Sequence, residues 1–129
     1  DAIATDHAPH ADHLKEQPLD AAPPGMLGLE TAFALAHGEL GMDLQSVLAC
    51  LSWKPARIAH LGDRHGRPVA PGEPANLAVV DAGLAWTVDR ALVASKSRNT
   101  PYHGRSVTGR VRHTVLDGRA VVIDGRAQQ

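Results

Sequence analysis

Asp1-Ala2-Ile3-Ala4-Thr5-Asp6-His7-Ala8-Pro9-His10 governs the reading of the whole chain. A short segment, apolar in its middle, runs directly into acid, imidazole and turn residues. Asp1 to Thr5 therefore predicts a buried strand that ends at Thr5, with Asp6 at its C-terminal end. Residues 6 to 27 then carry Pro9, Pro18, Pro23, Pro24 and Gly25. That composition predicts a long loop, and long loops in compact domains are usually functional or disordered.

Beyond the loop the apolar spacing becomes helical. Leu29, Ala32, Phe33 and Ala36 fall at i, i+3, i+4 and i+7, one face of a helix that Gly38 can close. Leu44, Val47, Leu48 and Leu51 repeat the pattern, with Asp43 placed to cap the start. Pro55 to Leu61 predicts a third, shorter helix with Pro55 in its first turn and Gly62 after it. Asp63 to Gly72, rich in Arg, His, Pro and Gly, reads as a linker.

After the linker the period changes from helical to alternating. Asn76 to Asp81 suits a strand and Ala85 to Val88 a second. Val107, Val111, His113 and Val115 alternate with Thr108, Arg110, Arg112 and Thr114. Asp117-Gly118 then offers a two-residue hairpin turn into Arg119 to Asp124. The second half is thus a small antiparallel β unit. One strand with three helices cannot make a parallel sheet, so the first half must complete its core with other polypeptide.

Composition narrows the function classes. The chain has 129 residues, 43% of them hydrophobic and 21% charged, with a net charge of −1. These are values of a globular protein, and no basic field exists to gather nucleic-acid phosphates. The longest apolar runs, Ala32 to Ala36 and Val47 to Leu51, have five residues each, against the about 20 that a bilayer-spanning helix needs. Cys50 is the only cysteine, so no intrachain disulfide can form and a reducing, cytoplasmic location is expected. Its apolar helical setting suits a buried structural thiol. The chain lacks an initiator Met and a signal-peptide pattern, as expected of a piece of something longer.

Chemistry concentrates at Asp6. A carboxylate directly after an apolar strand stands where barrel enzymes hold catalytic groups, and carboxylate with imidazole is the usual ligand set of Zn²⁺. Such a carboxylate can bind a metal, or take a proton from water and return it to a leaving nitrogen. The competing reading has Asp6 capping a helical turn led by Pro9, with His7, His10 and His13 on the surface. Residue types alone leave both open.

The first ten residues, followed by Ala22-Pro23-Pro24-Gly25-Met26-Leu27-Gly28-Leu29-Glu30-Thr31-Ala32, resemble the last barrel strand and following loop of type I dihydroorotases, in the amidohydrolase superfamily. Lys54-Pro55-Ala56, Pro74-Ala75-Asn76-Leu77 leading to Asp81, and Ser97 to Gly104 are similar more broadly across the superfamily. Thr114-Val115-Leu116-Asp117-Gly118 resembles its closing hairpin.

The resemblance implies an α/β fold class: a fragment of a metal-dependent hydrolase (β/α)8 TIM barrel, with its last strand and following helices, plus part of a small β-sandwich domain. Residues 1–62 would belong to the barrel and 63–129 to the sandwich. It implies the zinc-dependent, reversible hydrolysis of dihydroorotate to N-carbamoyl-aspartate in pyrimidine biosynthesis. Asp6 matches the general acid/base that approaches two zinc ions, His10 a substrate-binding histidine, and Pro24 and Gly25 a pair whose backbone contacts the pyrimidine ring. The family often has Phe at position 24. Proline lacks an N–H, which leaves its carbonyl and the Gly25 backbone.

The implied partners are the small-molecule substrate, the N-terminal part of the same protein carrying most metal ligands, and a homodimer or an aspartate transcarbamoylase complex. Two alternatives accompany this reading, an allantoinase or hydantoinase and a non-catalytic partner of aspartate transcarbamoylase. His10 favours dihydroorotase over the first, and retention of Asp6 and His10 speaks against the second. With at most one matched metal ligand, the 129 residues alone are expected to hydrolyse nothing. A metal-dependent turnover assay on the purified chain checks this, and robust activity would overturn the fragment reading.

Overall fold

A computed structural model describes residues 1–128. The helices come first: α1 (Asp12–Lys15), α2 (Ala32–Glu39), α3 (Leu44–Leu51) and α4 (Trp53–Ile58). The strands β1 (Leu77–Thr87), β2 (Ser106–Leu116), β3 (Arg119–Ile123) and β4 (Arg126–Ala127) follow. They form one antiparallel sheet in the order β1-β2-β3-β4. The chain is therefore a mixed helix and strand fold with its elements segregated along the sequence.

The predicted strand at Asp1 to Thr5 is absent. Among the described residues no strand lies alongside it, so its backbone has no ladder to join. Instead Ile3 N–H donates to the Cys50 carbonyl (3.0 Å) and Ala8 N–H to that of Met26 (2.9 Å). An isolated parallel bridge pairs His7 with Met26. The period of an inward-facing segment persists, because Ile3 and Thr5 are half-buried while Ala2 and Ala4 are exposed.

Local competition displaces the ends of two helices. The ring Nδ1 of His7 accepts the N–H groups of Gly28 (3.1 Å) and Leu29 (3.4 Å). This holds Leu29 in a turn, 60% exposed, and α2 begins at Ala32. Gly38 lies inside α2 rather than closing it. In α3 the predicted cap forms, with Asp43 Oδ1 accepting Ser46 N–H (2.9 Å) and Oδ2 the Ser46 hydroxyl (2.7 Å). Those bonds from Ser46 hold the Asp43 carboxyl below its ordinary range. The helix α4 ends earlier than Leu61, and the left-handed residue there is His60 (φ 56°), not Gly62.

In the sheet the two strands predicted at Asn76 to Asp81 and Ala85 to Val88 are one. The register breaks between Asp81 and Ala85, where Gly83 N–H donates to Asp81 Oδ1 (3.1 Å), and resumes. Asp117 (φ 48°) and Gly118 (φ 77°) form the predicted turn, both left-handed as a type I′ turn requires. A second Asp-Gly pair, Asp124 (φ 48°) and Gly125 (φ 72°), repeats the device and adds the unpredicted β4. Arg112 donates to Asp124 (2.5 Å) and Arg64 to Asp117 (2.6 Å), and these bonds hold both carboxyls below the usual range. Both pairs are exposed, so their contribution to stability is small.

The linker prediction needs amendment too. Arg67 grips Glu73 through both guanidinium contacts (2.5 and 2.8 Å), and Asn76 Nδ2 donates to the Arg64 carbonyl (2.8 Å). Asn76 Oδ1 also accepts the Asp117 N–H (2.7 Å), so with the Arg64–Asp117 pair the segment is tied to the Asp117 hairpin.

Two buried clusters join helices and sheet. Phe33, Ala36 and Val47 are buried together, with Ile3, Leu48, Val80 and Val111 packed around them. A second cluster holds Ala34, Val88 and Val107, with Leu35, Trp86 and Tyr102. Successive residues of α2 thus face different neighbours, as in a helix apolar all round. Gly109 in β2 makes this possible, because a Cβ there would lie 3.0 Å from the Phe33 ring. Val47 is completely buried. Val47→Ala should cost about 2 kcal/mol, read by hydrogen exchange as faster opening of α2, α3 and β2 together.

Candidate functional site

Asp6 adopts φ 46°. Left-handed backbone is uncommon outside glycine, though Asp tolerates it better than most, and such residues concentrate at functional sites. Its side chain caps nothing: α1 starts at Asp12 behind Ala11, without a side-chain cap. The capping alternative is therefore not seen, and Asp6 lies exposed. The carboxylate borders an open groove with Lys15, Gly25, Arg98, Asn99 and Thr100, and makes no hydrogen bond among the described residues.

Asp6, Gly25 and Met26 line one side of the groove, and the stretches that carry them, residues 6 to 10 and 23 to 28, are bonded to each other. His10 Nε2 lies 2.9 Å from the Pro24 carbonyl. A carbonyl only accepts, so Nε2 carries the hydrogen and Nδ1 is the ring atom left over. Lys15 donates from Nζ to the carbonyls of Pro23 (2.9 Å) and Gly25 (3.2 Å). The Pro24 carbonyl, free by sequence, is thus occupied by His10. The Gly25 N–H has no partner among the described residues.

Gly25 is required twice over. Its φ of 120° suits glycine alone, and an added Cβ would sit 2.6 Å from the Ala8 Cβ and 3.2 Å from His10 Nε2. Asp6 and Gly25 thus line one groove, while His10 and Pro24 touch each other, and His10 lies beside Gly25, without lining it. His7 and His13 do not join them. His7 is spent on the Gly28 and Leu29 amides, and His13 is exposed on α1. Among the described residues no three His, Cys, Asp or Glu side chains converge on a point that could hold a metal ion.

The sequence left Asn99 and Lys15 unassigned. Asn99 Oδ1 accepts His10 N–H (3.2 Å), Nδ2 donates to the carbonyls of Ala8 (2.8 Å) and Gly25 (3.4 Å), and its own carbonyl accepts Leu27 N–H (3.1 Å). Its only sequence signal was membership of the block from Ser97 to Gly104. Just before α2, the Glu30 carboxylate accepts the N–H groups of Ala94 (2.9 Å) and Ser95 (3.2 Å). In the same loop Arg98 donates to the carbonyls of Ser95 and Ser97, and Arg105 to Glu39 (2.5 Å). Cys50 is buried, as its setting predicted. No helix among the described residues is long and apolar enough to cross a membrane.

A sequence model of the Amidohydrolase family matches residues 1–121. The chain belongs to the amidohydrolase family. It is 48% identical over 130 residues to a protein of Streptomyces coelicolor named dihydroorotase, covering 98% of this chain and 30% of that one. It is 46% identical over 132 residues to a Mycobacterium tuberculosis protein of the same name, covering 98% and 30%. This amidohydrolase chain thus spans about 30% of the length of the curated relatives it matches.

Among solved structures, a D-hydantoinase (dihydropyrimidinase) from Thermus sp. superposes with a TM-score of 0.84 at 24% identity, over 99% of this chain and 29% of that one. Dihydropyrimidinase from Brevibacillus agri gives 0.83 at 20% identity, over 98% and 29%. At such identities the likeness establishes a shared fold. Gly25→Ala should raise amide exchange in residues 7 to 10 and 24 to 28 by about tenfold or more through strain at a non-glycine φ. Gly38→Ala, whose Cβ meets nothing within 4 Å, should leave that exchange unchanged.

Proposed function

We propose that this chain is part of a dihydroorotase, acting in cytoplasmic pyrimidine biosynthesis on the cyclic amide of dihydroorotate. What carries the reading is that relatives 46 to 48% identical across nearly the whole chain bear that name. The groove supports it with a suitable set of groups. In the proposed arrangement residues 1–62 belong to the closing part of a (β/α)8 barrel and 63–129 to a β-sandwich domain. The antiparallel sheet that follows the helices, and an inward-facing segment at Ile3 and Thr5 with no strand beside it among the described residues, support such a division.

The chemistry is that of an amide hydrolysis with a positioned acid and base. Asp6, exposed and free of hydrogen bonds within the described residues, takes a proton from the attacking water and delivers it to the amide nitrogen as the ring opens. In the reverse direction it returns that proton. Gly25 offers its N–H to a ring oxygen, and His10 contacts the substrate through Nδ1 while Nε2 stays on Pro24. Holding these groups on short, mutually bonded loops lowers the entropy cost of reaching the reactive geometry.

Zinc takes about four ligands. The reading assigns it one in this chain, the Asp6 carboxylate. The donor set described here does not fit two zinc ions by itself, so further ligands belong to other parts of the protein. The alternative of a non-catalytic partner of aspartate transcarbamoylase gives no physical reason for a carboxylate without a hydrogen-bond partner among the described residues at the groove.

In the full-length protein, conversion of dihydroorotate should exceed that of allantoin and hydantoin. Asp6→Asn should lower kcat by about 10³-fold with little change in KM. Undiminished ring opening by that variant would refute the role of Asp6, and preference for hydantoin or allantoin would reassign the substrate.

A further inference from the structure

Two separate stretches carry the groups assigned above, and neither belongs to a helix or sheet that would fix it. Residues 6 to 10 and 24 to 28 touch each other through one isolated bridge, the Ala8 amide and the His10 ring. Both are also bound to a single side chain 89 residues from His10 in sequence, Asn99. Its oxygen takes the His10 amide, and its nitrogen reaches the carbonyls of Ala8 and Gly25. Its main-chain carbonyl holds Leu27.

We propose that Asn99 is a positioning residue for substrate binding, setting the distance between His10 and the Pro24-Gly25 backbone. This rests on the functional reading given above. Only an amide presents a donor and an acceptor in one rigid plane of this size. A carboxylate at position 99 would keep the bond to His10 but set a negative oxygen against the carbonyls of Ala8 and Gly25. An aliphatic side chain would lose both ends.

The loop bearing Asn99 is itself anchored, which a positioning element requires. Glu30, just before α2, holds Ala94 and Ser95. Arg98 closes on Ser95 and Ser97, and Thr100 Oγ1 accepts the Tyr102 N–H (3.3 Å). Tyr102 packs against the buried cluster of Ala34, Val88 and Val107. Asn99 therefore transmits the position of the core to two loops that lack regular structure. Its bonds meet the backbone beside His10 and Gly25, the substrate contacts, and leave the Asp6 carboxylate untouched, so binding should suffer more than proton transfer.

The test uses the full-length protein with Asn99→Asp, Asp6→Asn and, as a remote control, Arg64→Ala. Steady-state kinetics with dihydroorotate are measured alongside thermal midpoints. Asn99→Asp should raise KM about tenfold with kcat within about threefold of the parent, whereas Asp6→Asn should show the opposite split. The control should match the parent. A role limited to fold maintenance predicts a lower melting midpoint and less active protein, with KM unchanged, and that result would overturn the proposal.

If Asn99→Asp does not fold, Asn99→Ser removes the reach of both ends without adding charge and carries the same expectation. A normal KM in a folded Asn99 variant, with Asp6→Asn inactive, rejects the positioning role alone. Failure of the parent to turn over dihydroorotate rejects the functional reading and this inference together.

Discussion

Close approach of α2 to β2, at Phe33 over Gly109, is the contact on which the arrangement depends. Gly109 leaves room for the aromatic ring, and Phe33 then shares a core with Val47 from α3 and with Val80 and Val111 from the sheet. Because α2 is apolar on several sides, it serves both the helical and the strand half at once. The turn before it, residues 28 to 31, is consequently fixed against the chain's beginning through His7, and the turn's Glu30 reaches the distant loop at Ala94 and Ser95. Packing of one helix thus sets the positions of three otherwise irregular segments.

Those segments meet at the groove bordered by Asp6. Backbone polar groups that have no ladder must find other partners, and here side chains supply them: the His7 ring for Gly28 and Leu29, Lys15 for Pro23 and Gly25, Asn99 for Ala8, His10 and Gly25. The outcome is a wall made of loops but held at many points. A carboxylate on left-handed backbone and a glycine N–H remain without partners among the described residues there, the combination expected where a ligand completes the hydrogen bonding.

Much of this was legible in particular residues. The spacing of Leu44, Val47, Leu48 and Leu51 with Asp43 before them specified α3 and its cap, because cap and face lie within one or two turns. Asp117-Gly118 specified its hairpin for the same local reason. Of the residues singled out by type and order, Asp6 and Gly25 line one groove, and His10 meets the Pro24 carbonyl beside it. Asn99 escaped, since an isolated asparagine carries no pattern and its three side-chain contacts lie 74 residues or more away.

What the amino-acid order determined by itself were the features governed by neighbours along the chain: helical period, a capping carboxylate, alternation in β2, positive φ at Asp-Gly turns. Where competing partners were far away, tertiary structure decided. It withheld a ladder from Asp1 to Thr5, spent His7 on the start of α2, merged two apolar runs into the single strand β1, and placed Asn99 between two loops. A strand needs a neighbour and a ring nitrogen takes whichever N–H reaches it, so these outcomes depend on what folding brings alongside.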